Sequence, residues 1–167
     1  MEAVSLGADQ QQITTFLLPV QANNHPIYNP SLDYSVYLSQ PFFFVLFQVL
    51  ILLTTVYTVG IEIKFRTATD WLATAKGNMI TAVLGKLLPY TFIYILIGWL
   101  GNYVMFGILH IPFQGSWLLM NMLTALFVVA TQALGLFLFS LFPAISLIIS
   151  IVSMVGSLGA TLSGVTF

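Results

Sequence analysis

The second half of the chain carries no charged side chain. After Lys86, no Asp, Glu, Lys or Arg occurs up to Phe167. A soluble domain is about one quarter charged residues, whereas Asp, Glu, Lys and Arg make up 5% of these 167 residues. Because a surface with so few charges would be poorly hydrated, the sequence predicts an integral membrane protein.

Four apolar runs are long enough to cross a bilayer as helices. Twenty helical residues extend about 30 Å, which is the thickness of the hydrocarbon core. Ser39 is predicted to cap the first helix, with Pro41 in its first turn. The predicted fold is therefore all-α, with four transmembrane helices at about residues 41–60, 87–109, 117–142 and 144–162.

All the positive charge of the chain lies in one window. Every Lys and Arg falls between Glu62 and Lys86, in the connection predicted at residues 61–86. Basic residues in short loops stay on the cytoplasmic side, so this loop is predicted to be cytoplasmic. Residues 1–38 are rich in turn-forming residues and are predicted as a small extracytoplasmic segment. Residues 39–167 are then a multi-pass transmembrane domain, which we expect in a bacterial inner membrane.

The predicted spans lack the groups that catalysis or ion coupling would use. They contain no ionisable Asp, Glu, Lys or Arg, which proton-coupled carriers generally need. His25 and His110 are far apart and Cys is absent, so no metal site is expected. No phosphate-binding loop and no nucleophile–base arrangement occurs. We expect neither an enzyme nor a nucleic-acid-binding protein, and a sodium-coupled carrier is a weaker interpretation.

Small and polar side chains recur on single faces of the predicted spans. In the fourth span, serines follow one another at intervals of four, three and four, which places them on one helical face. Such a face serves either as a helix–helix contact or as part of a substrate pathway, and both interpretations stay open. The residues assigned to these faces are Ser146, Ser150, Ser153, Ser157, Asn121, Thr124 and Gln48.

The cytoplasmic loop contains a short predicted helix, TATDWLATAKG, residues 67–77. Thr67 or Thr69 is the expected N-cap, Asp70 lies in the first turn, and Gly77 ends the helix. Asn78 is expected to start the next helix. The apolar side chains fall on one side, with an exposed Trp71 among them. Such a helix lies on the membrane surface or docks into a groove of a partner protein, and the pattern alone does not decide between them.

Three stretches together resemble the ABC-2 type transporter permeases. The first stretch begins with Glu62 and Lys64, continues through Thr67 and ends with GKLLPY at residues 85–90. It is similar to the cytoplasmic loop of the family. The second is YNPSLDYSVYL at 28–38, and the third is LSGVTF at 162–167. Where the family usually has Gly before Thr67, this chain has Arg66. The family usually has six spans, so we expect this chain to be an internal piece of such a permease.

The resemblance implies a permease subunit of an ABC exporter. A second permease copy would complete the pathway, and a separate ABC ATPase subunit would bind and hydrolyse ATP, so that no cofactor binds this chain directly. The alternative function is a polytopic membrane scaffold that holds a partner without transport. The residues implied to couple to the ATPase are Glu62, Lys64, Arg66, Thr67, Asp70, Trp71, Leu72 and Ala75.

Overall fold

The computed structural model describes residues 34–162, with side chains described for residues 38–159. The predicted outer segment, most of the Asn-Pro stretch and all but the first residue of LSGVTF lie outside these residues. The described part is all-helical, without strands. Its elements are α1 (Tyr34–Lys64), α2 (Ala68–Thr74), α3 (Met79–Asn102), a π-helix (Tyr103–Ile108) that continues α3, α4 (Trp117–Leu141) and α5 (Ile145–Leu162).

The first helix extends past the predicted span at both ends. It has 31 residues, which is about 46 Å of helix and more than a hydrocarbon core requires. The prediction that Ser39 caps this helix is wrong, because α1 begins at Tyr34 and Pro41 lies inside it. Membrane helices tolerate an internal proline when neighbouring groups satisfy the freed backbone. At its other end, α1 includes Glu62 and Lys64, so only residues 65–78 connect α1 to α3.

Three helices have the length and composition of membrane spans. They are Leu38–Lys64, Met79–Ile108 and Trp117–Leu141, and each contains or matches a predicted span. The fourth predicted span forms the shorter apolar helix α5. The count of four spans therefore stays a prediction, while a membrane protein with several apolar helices is confirmed.

The long helix α1 is the centre of the bundle, and it contacts α3, α4 and α5. Its close approach to α5 depends on Gly156, where a Cβ atom would lie 2.4 Å from Val49 Cγ2. One buried apolar cluster joins all four long helices; it consists of Leu52, Val56, Val59, Leu87, Phe139, Ile148 and Val152.

The contact between α3 and α4 combines a glycine with polar pairs. A Cβ atom on Gly98 would lie 2.5 Å from Thr124 Cγ2, so only Gly allows this approach. Further along the same contact, the Thr91 hydroxyl donates to Gln132 Oε1 at 2.7 Å. Hydrogen bonds between membrane helices are worth about 0.6 kcal/mol on average, and they fix which faces meet.

Candidate coupling site

The end of α1 is closed by a backbone motif that places Arg66 in a left-handed conformation. Arg66 has φ 58°. Its N–H donates to the Ile63 carbonyl at 3.2 Å, and the Thr67 N–H donates to the Glu62 carbonyl at 2.9 Å. This is the Schellman pattern, in which glycine is the usual left-handed residue. Arg66 thus stands where the resembling family has glycine, and the chain keeps the turn that glycine would favour.

A second motif of the same kind closes α2. The Lys76 N–H donates to the Ala73 carbonyl at 3.0 Å, and the Gly77 N–H donates to the Leu72 carbonyl at 3.0 Å. Lys76 has φ 54° and Gly77 has φ 78°. Gly77 was predicted to end the helix; instead Lys76 takes the first left-handed position and Gly77 the next. Two left-handed turns therefore hold α2 across the ends of α1 and α3.

The predicted capping bond is present at the start of α3 but not at the start of α2. Asn78 Oδ1 accepts hydrogen bonds from the N–H groups of Ile80 at 3.0 Å and Thr81 at 3.2 Å, so the predicted cap of α3 is confirmed. Thr67 occupies the N-cap position of α2, but its side chain makes no capping bond there. Its hydroxyl donates to the Glu62 carboxylate instead.

Glu62 is the centre of a polar cluster between α1, α2 and α3. Its carboxylate accepts hydrogen bonds from the Lys86 ammonium and the Thr67 hydroxyl. The Lys86 ammonium also lies over the Trp71 ring, 5.2 Å from its centre, within the range of a cation–π contact. We call Glu62, Thr67, Trp71 and Lys86 the brace. It joins residues from every element of this region, although they are separated in sequence.

Trp71 is half-buried, so the prediction of an exposed Trp in the loop is wrong. Its ring packs against the buried cluster that joins the four long helices. Leu72 and Ala75 are also half-buried. These side chains were correctly assigned to one side of the helix, but that side faces the bundle. The reason is tertiary: the two left-handed turns fold α2 back over the ends of α1 and α3.

The opposite side of α2 is open. Thr69, Asp70 and Ala73 are exposed, and no residue of α2 is fully buried. Lys64 and Arg66 are exposed beside it. The structure therefore divides the predicted coupling residues into two groups. Glu62, Trp71, Leu72 and Ala75 point inward, whereas Lys64, Arg66 and Asp70 are accessible, and Thr67 is accessible while bonded to the brace.

Charge at this end of the bundle is unbalanced. In the part of the chain that the structure describes, the one ion pair is Glu62–Lys86. This pair neutralises Glu62. The other charged residues near α2 are three bases, Lys64, Arg66 and Lys76, and one acid, Asp70. Lys64 Nζ lies 5.7 Å from the centre of the Phe65 ring. The exposed surface around α2 is therefore net positive.

The predicted polar face of the third span is partly a closed contact. Thr124 is 2% exposed, and its hydroxyl oxygen accepts a hydrogen bond from Asn102 Nδ2 at 2.9 Å. The same nitrogen donates to Asn121 Oδ1 at 3.2 Å. The sequence-based predictions did not include Asn102, which is 0% exposed. An amide side chain inside an apolar run was the feature that could have identified it. Gln48 is half-buried on α1.

The predicted serine face of α5 points away from the rest of the bundle. Its serines at 146, 150, 153 and 157 are all exposed. Ser153 and Ser157 each donate to a carbonyl of their own helix at 2.9 Å. The face that packs on α1 carries Ile148, Val152 and Gly156. A packing or pathway role for these serines stays a prediction.

No metal centre is formed in the part of the chain that the structure describes. Within residues 34–162, His, Cys, Asp and Glu do not gather in any group of three that could hold an ion. The region around α2 has a braced inner side, an open outer side and a net positive rim.

The comparison with protein families decides the identity of the chain. The family described as ABC-2 family transporter protein matches residues 2–167. The chain belongs to the ABC-2 transporter family. This ABC-2 protein is therefore a permease-type membrane subunit of a transporter, as its sequence motifs predicted. Neither the curated proteins nor the solved structures contain a match to it.

Family membership gives the brace and α2 a context. An ABC-2 protein is the membrane component of a transporter and not its catalytic part. The residues that carried the resemblance, from Glu62 to Tyr90, include the whole brace and all of α2. The segment that carried the resemblance therefore also contains the contacts that hold α2 against α1 and α3.

Proposed function

We propose that this ABC-2 protein is the permease of an exporter and that the outer side of α2 docks on a separate ATPase subunit. The observation that carries the proposal is the division of α2 into a braced inner side and an open outer side. A helix that transmits force between subunits must be fixed to the spans on one side and accessible on the other. Trp71 and Glu62 supply the fixation, and Asp70 and Arg66 supply accessible polar contacts.

The energy for transport would come from ATP on the partner. Within residues 34–162 the one ion pair, Glu62–Lys86, lies beside α2 at the ends of α1 and α3, and no group of side chains could hold a metal ion. A docked α2 can pass a displacement of the ATPase to α1 through Glu62 and to α3 through Lys86. Because both helices run the length of the bundle, movement at α2 would change the packing around α1.

Orientation follows from the same charges. Basic loop residues are retained on the cytoplasmic side, so α2 would face the cytoplasm of a bacterial cell and residues 1–38 would lie outside the inner membrane. The exposed serine face of α5 and the broad apolar surface of α3 would contact a second permease copy or lipid. Two copies would then enclose the substrate pathway.

Recovery of the partner tests this proposal. The full chain is tagged in its native host, solubilised gently and purified with and without ATP plus vanadate, and co-purifying proteins are identified. We expect an ATPase in about equal amount, and we expect Asp70→Lys to remove it. Gln114→Lys is the matched control, because Gln114 is exposed in the connection between the π-helix and α4, which is predicted to lie on the other side of the membrane.

Two outcomes would contradict the proposal. Equal recovery of the ATPase with Asp70→Lys and with the native chain would exclude docking through the outer side of α2. A stable partner without nucleotide-dependent binding would favour the scaffold alternative. Thermal unfolding of each variant, measured in the same detergent, separates a lost contact from a misfolded chain.

A further inference from the structure

An apolar pocket of about 430 Å³ lies beneath α2. We call it the α2 pocket. Carbon atoms form nearly all of its wall, which comes from the ends of the long helices and from α2 itself. The lining side chains include Ile63 of α1, Trp71 and Leu72 of α2, Val83 of α3 and Phe139 of α4. Its volume is in the range of small-molecule sites, and among its lining residues only Trp71 and Ser140 have a polar atom in the side chain.

A second pocket of about 500 Å³ adjoins the first. The two share Ile63 and Pro143, and the second includes Lys64. An elongated ligand could therefore occupy the apolar pocket with its tail and reach Lys64 with its head. Lys64 is exposed and has no ion pair within the described residues.

We propose that the α2 pocket holds an acyl chain of an anionic phospholipid whose phosphate contacts Lys64. An apolar cavity with a cation at its mouth matches the chemistry of such a lipid, since acyl chains are apolar and the headgroup is negative. Basic pockets between transmembrane helices are known to take anionic headgroups. Lys64 has no carboxylate partner within the described residues, so its charge is available to an anionic headgroup and favours it over a zwitterionic lipid.

The position of the pocket favours lipid over a side chain of a protein partner. Its walls are the ends of α1, α3 and α4, which have the composition of membrane spans. Acyl chains are present around such helices at high concentration. A protein partner would instead meet the outer side of α2, which is on the opposite side of that helix from Trp71 and Leu72. The lipid would therefore contact the inner side of α2 and leave its outer side free for the protein partner.

The indole of Trp71 is a built-in probe for this lipid. In the full chain with Trp99→Phe and Trp117→Phe, Trp71 is the one remaining Trp. This variant is placed in vesicles that contain phospholipids brominated on their acyl chains, and quenching of the Trp71 fluorescence is measured. We expect brominated phosphatidylglycerol to quench Trp71 with about fivefold tighter apparent affinity than brominated phosphatidylcholine, as one cation near a headgroup predicts. Lys64→Gln should remove this preference. Lys76→Gln, a change at an exposed lysine that lines neither pocket, should leave the preference intact.

Two further results decide the proposal. Ala68→Phe fills the α2 pocket and should reduce quenching by both lipids. Native mass spectrometry of the full chain, with its own tryptophans, should show a retained anionic lipid that is lost with Lys64→Gln and kept with Lys76→Gln. Equal quenching by both lipids, or a retained lipid that is insensitive to Lys64→Gln, would overturn the assignment.

Discussion

The ammonium group of Lys86 lies 5.2 Å from the centre of the Trp71 ring, and the same ammonium binds the Glu62 carboxylate. One cation on α3 thus holds both the end of α1 and the inner side of α2. The side chains of Lys86 and Glu62 are 21% and 19% exposed, so water screens the pair only in part. The brace is the reason α2 has a fixed position relative to the spans.

Removal of the cation should loosen this region. Lys86→Met keeps the apolar stem of the side chain and removes its charge, so Glu62 loses its charged partner. Hydrogen bonds between charged partners are stronger than neutral ones, so we expect Lys86→Met to lower the free energy of unfolding by more than a change at an exposed lysine does. Unfolding in mixed micelles measures it. Lys76→Met, at an exposed site, should change stability by less than about 0.5 kcal/mol; a similar loss in both variants would contradict the brace.

The left-handed conformation of Arg66 predicts a stabilising substitution. Arg66→Gly removes a side chain from a backbone that only glycine adopts without strain, and the gain should be about 1 kcal/mol. The same thermal or denaturant unfolding experiment measures the change. Lys64→Gly is the matched control, because Lys64 lies in the last turn of α1, where glycine should destabilise by about 0.5–1 kcal/mol. Changes of equal sign in the two variants would argue against the left-handed turn.

Two glycines of α3 should respond in opposite ways to alanine. A Cβ on Gly98 would clash with Thr124, whereas a Cβ on Gly85 has nothing within 4 Å. Gly98→Ala should therefore cost about 1–3 kcal/mol through overpacking. Gly85→Ala should stabilise by about 0.4–1 kcal/mol because alanine restricts the unfolded chain. Unfolding curves of both variants test this, and a stabilising Gly98→Ala would mean that α3 and α4 do not approach so closely.

The buried amide of Asn102 should be coupled to Thr124 across the contact between α3 and α4. A double-mutant cycle with Asn102→Ala and Thr124→Val isolates this bond from the loss of each side chain. Such pairs in membrane proteins contribute about 0.6 kcal/mol, with a maximum near 1.7 kcal/mol, and we expect a value in this range. The cycle with Asn102→Ala and Thr131→Val, which shares α4 but has no bond to Asn102, should give a value near zero. A value near zero for both pairs would contradict the bond.

The predictions made for helix ends had different outcomes. Asn78 was correctly assigned as the cap of α3, since an Asn side chain can satisfy the first N–H groups without help from distant residues. Gly77 was predicted to end α2, but α2 ends at Thr74 and the first left-handed residue after it is Lys76. Ser39 failed as the cap of α1, because residues 34–38 before it are already helical.

The sequence by itself determined the apolar helices, the confinement of every Lys and Arg to residues 64–86, and membership in a transporter family. These depend on composition, run length and local motifs, which a chain carries before it folds. Only the tertiary structure decided that Trp71 faces the bundle, that the α5 serines face away from it, and that Asn102 meets Thr124. The physical reason is that lipid is as apolar as a helix surface, so hydrophobic periodicity in a membrane does not distinguish a buried face from an exposed one. Close approach at glycines and polar pairs between helices makes that choice.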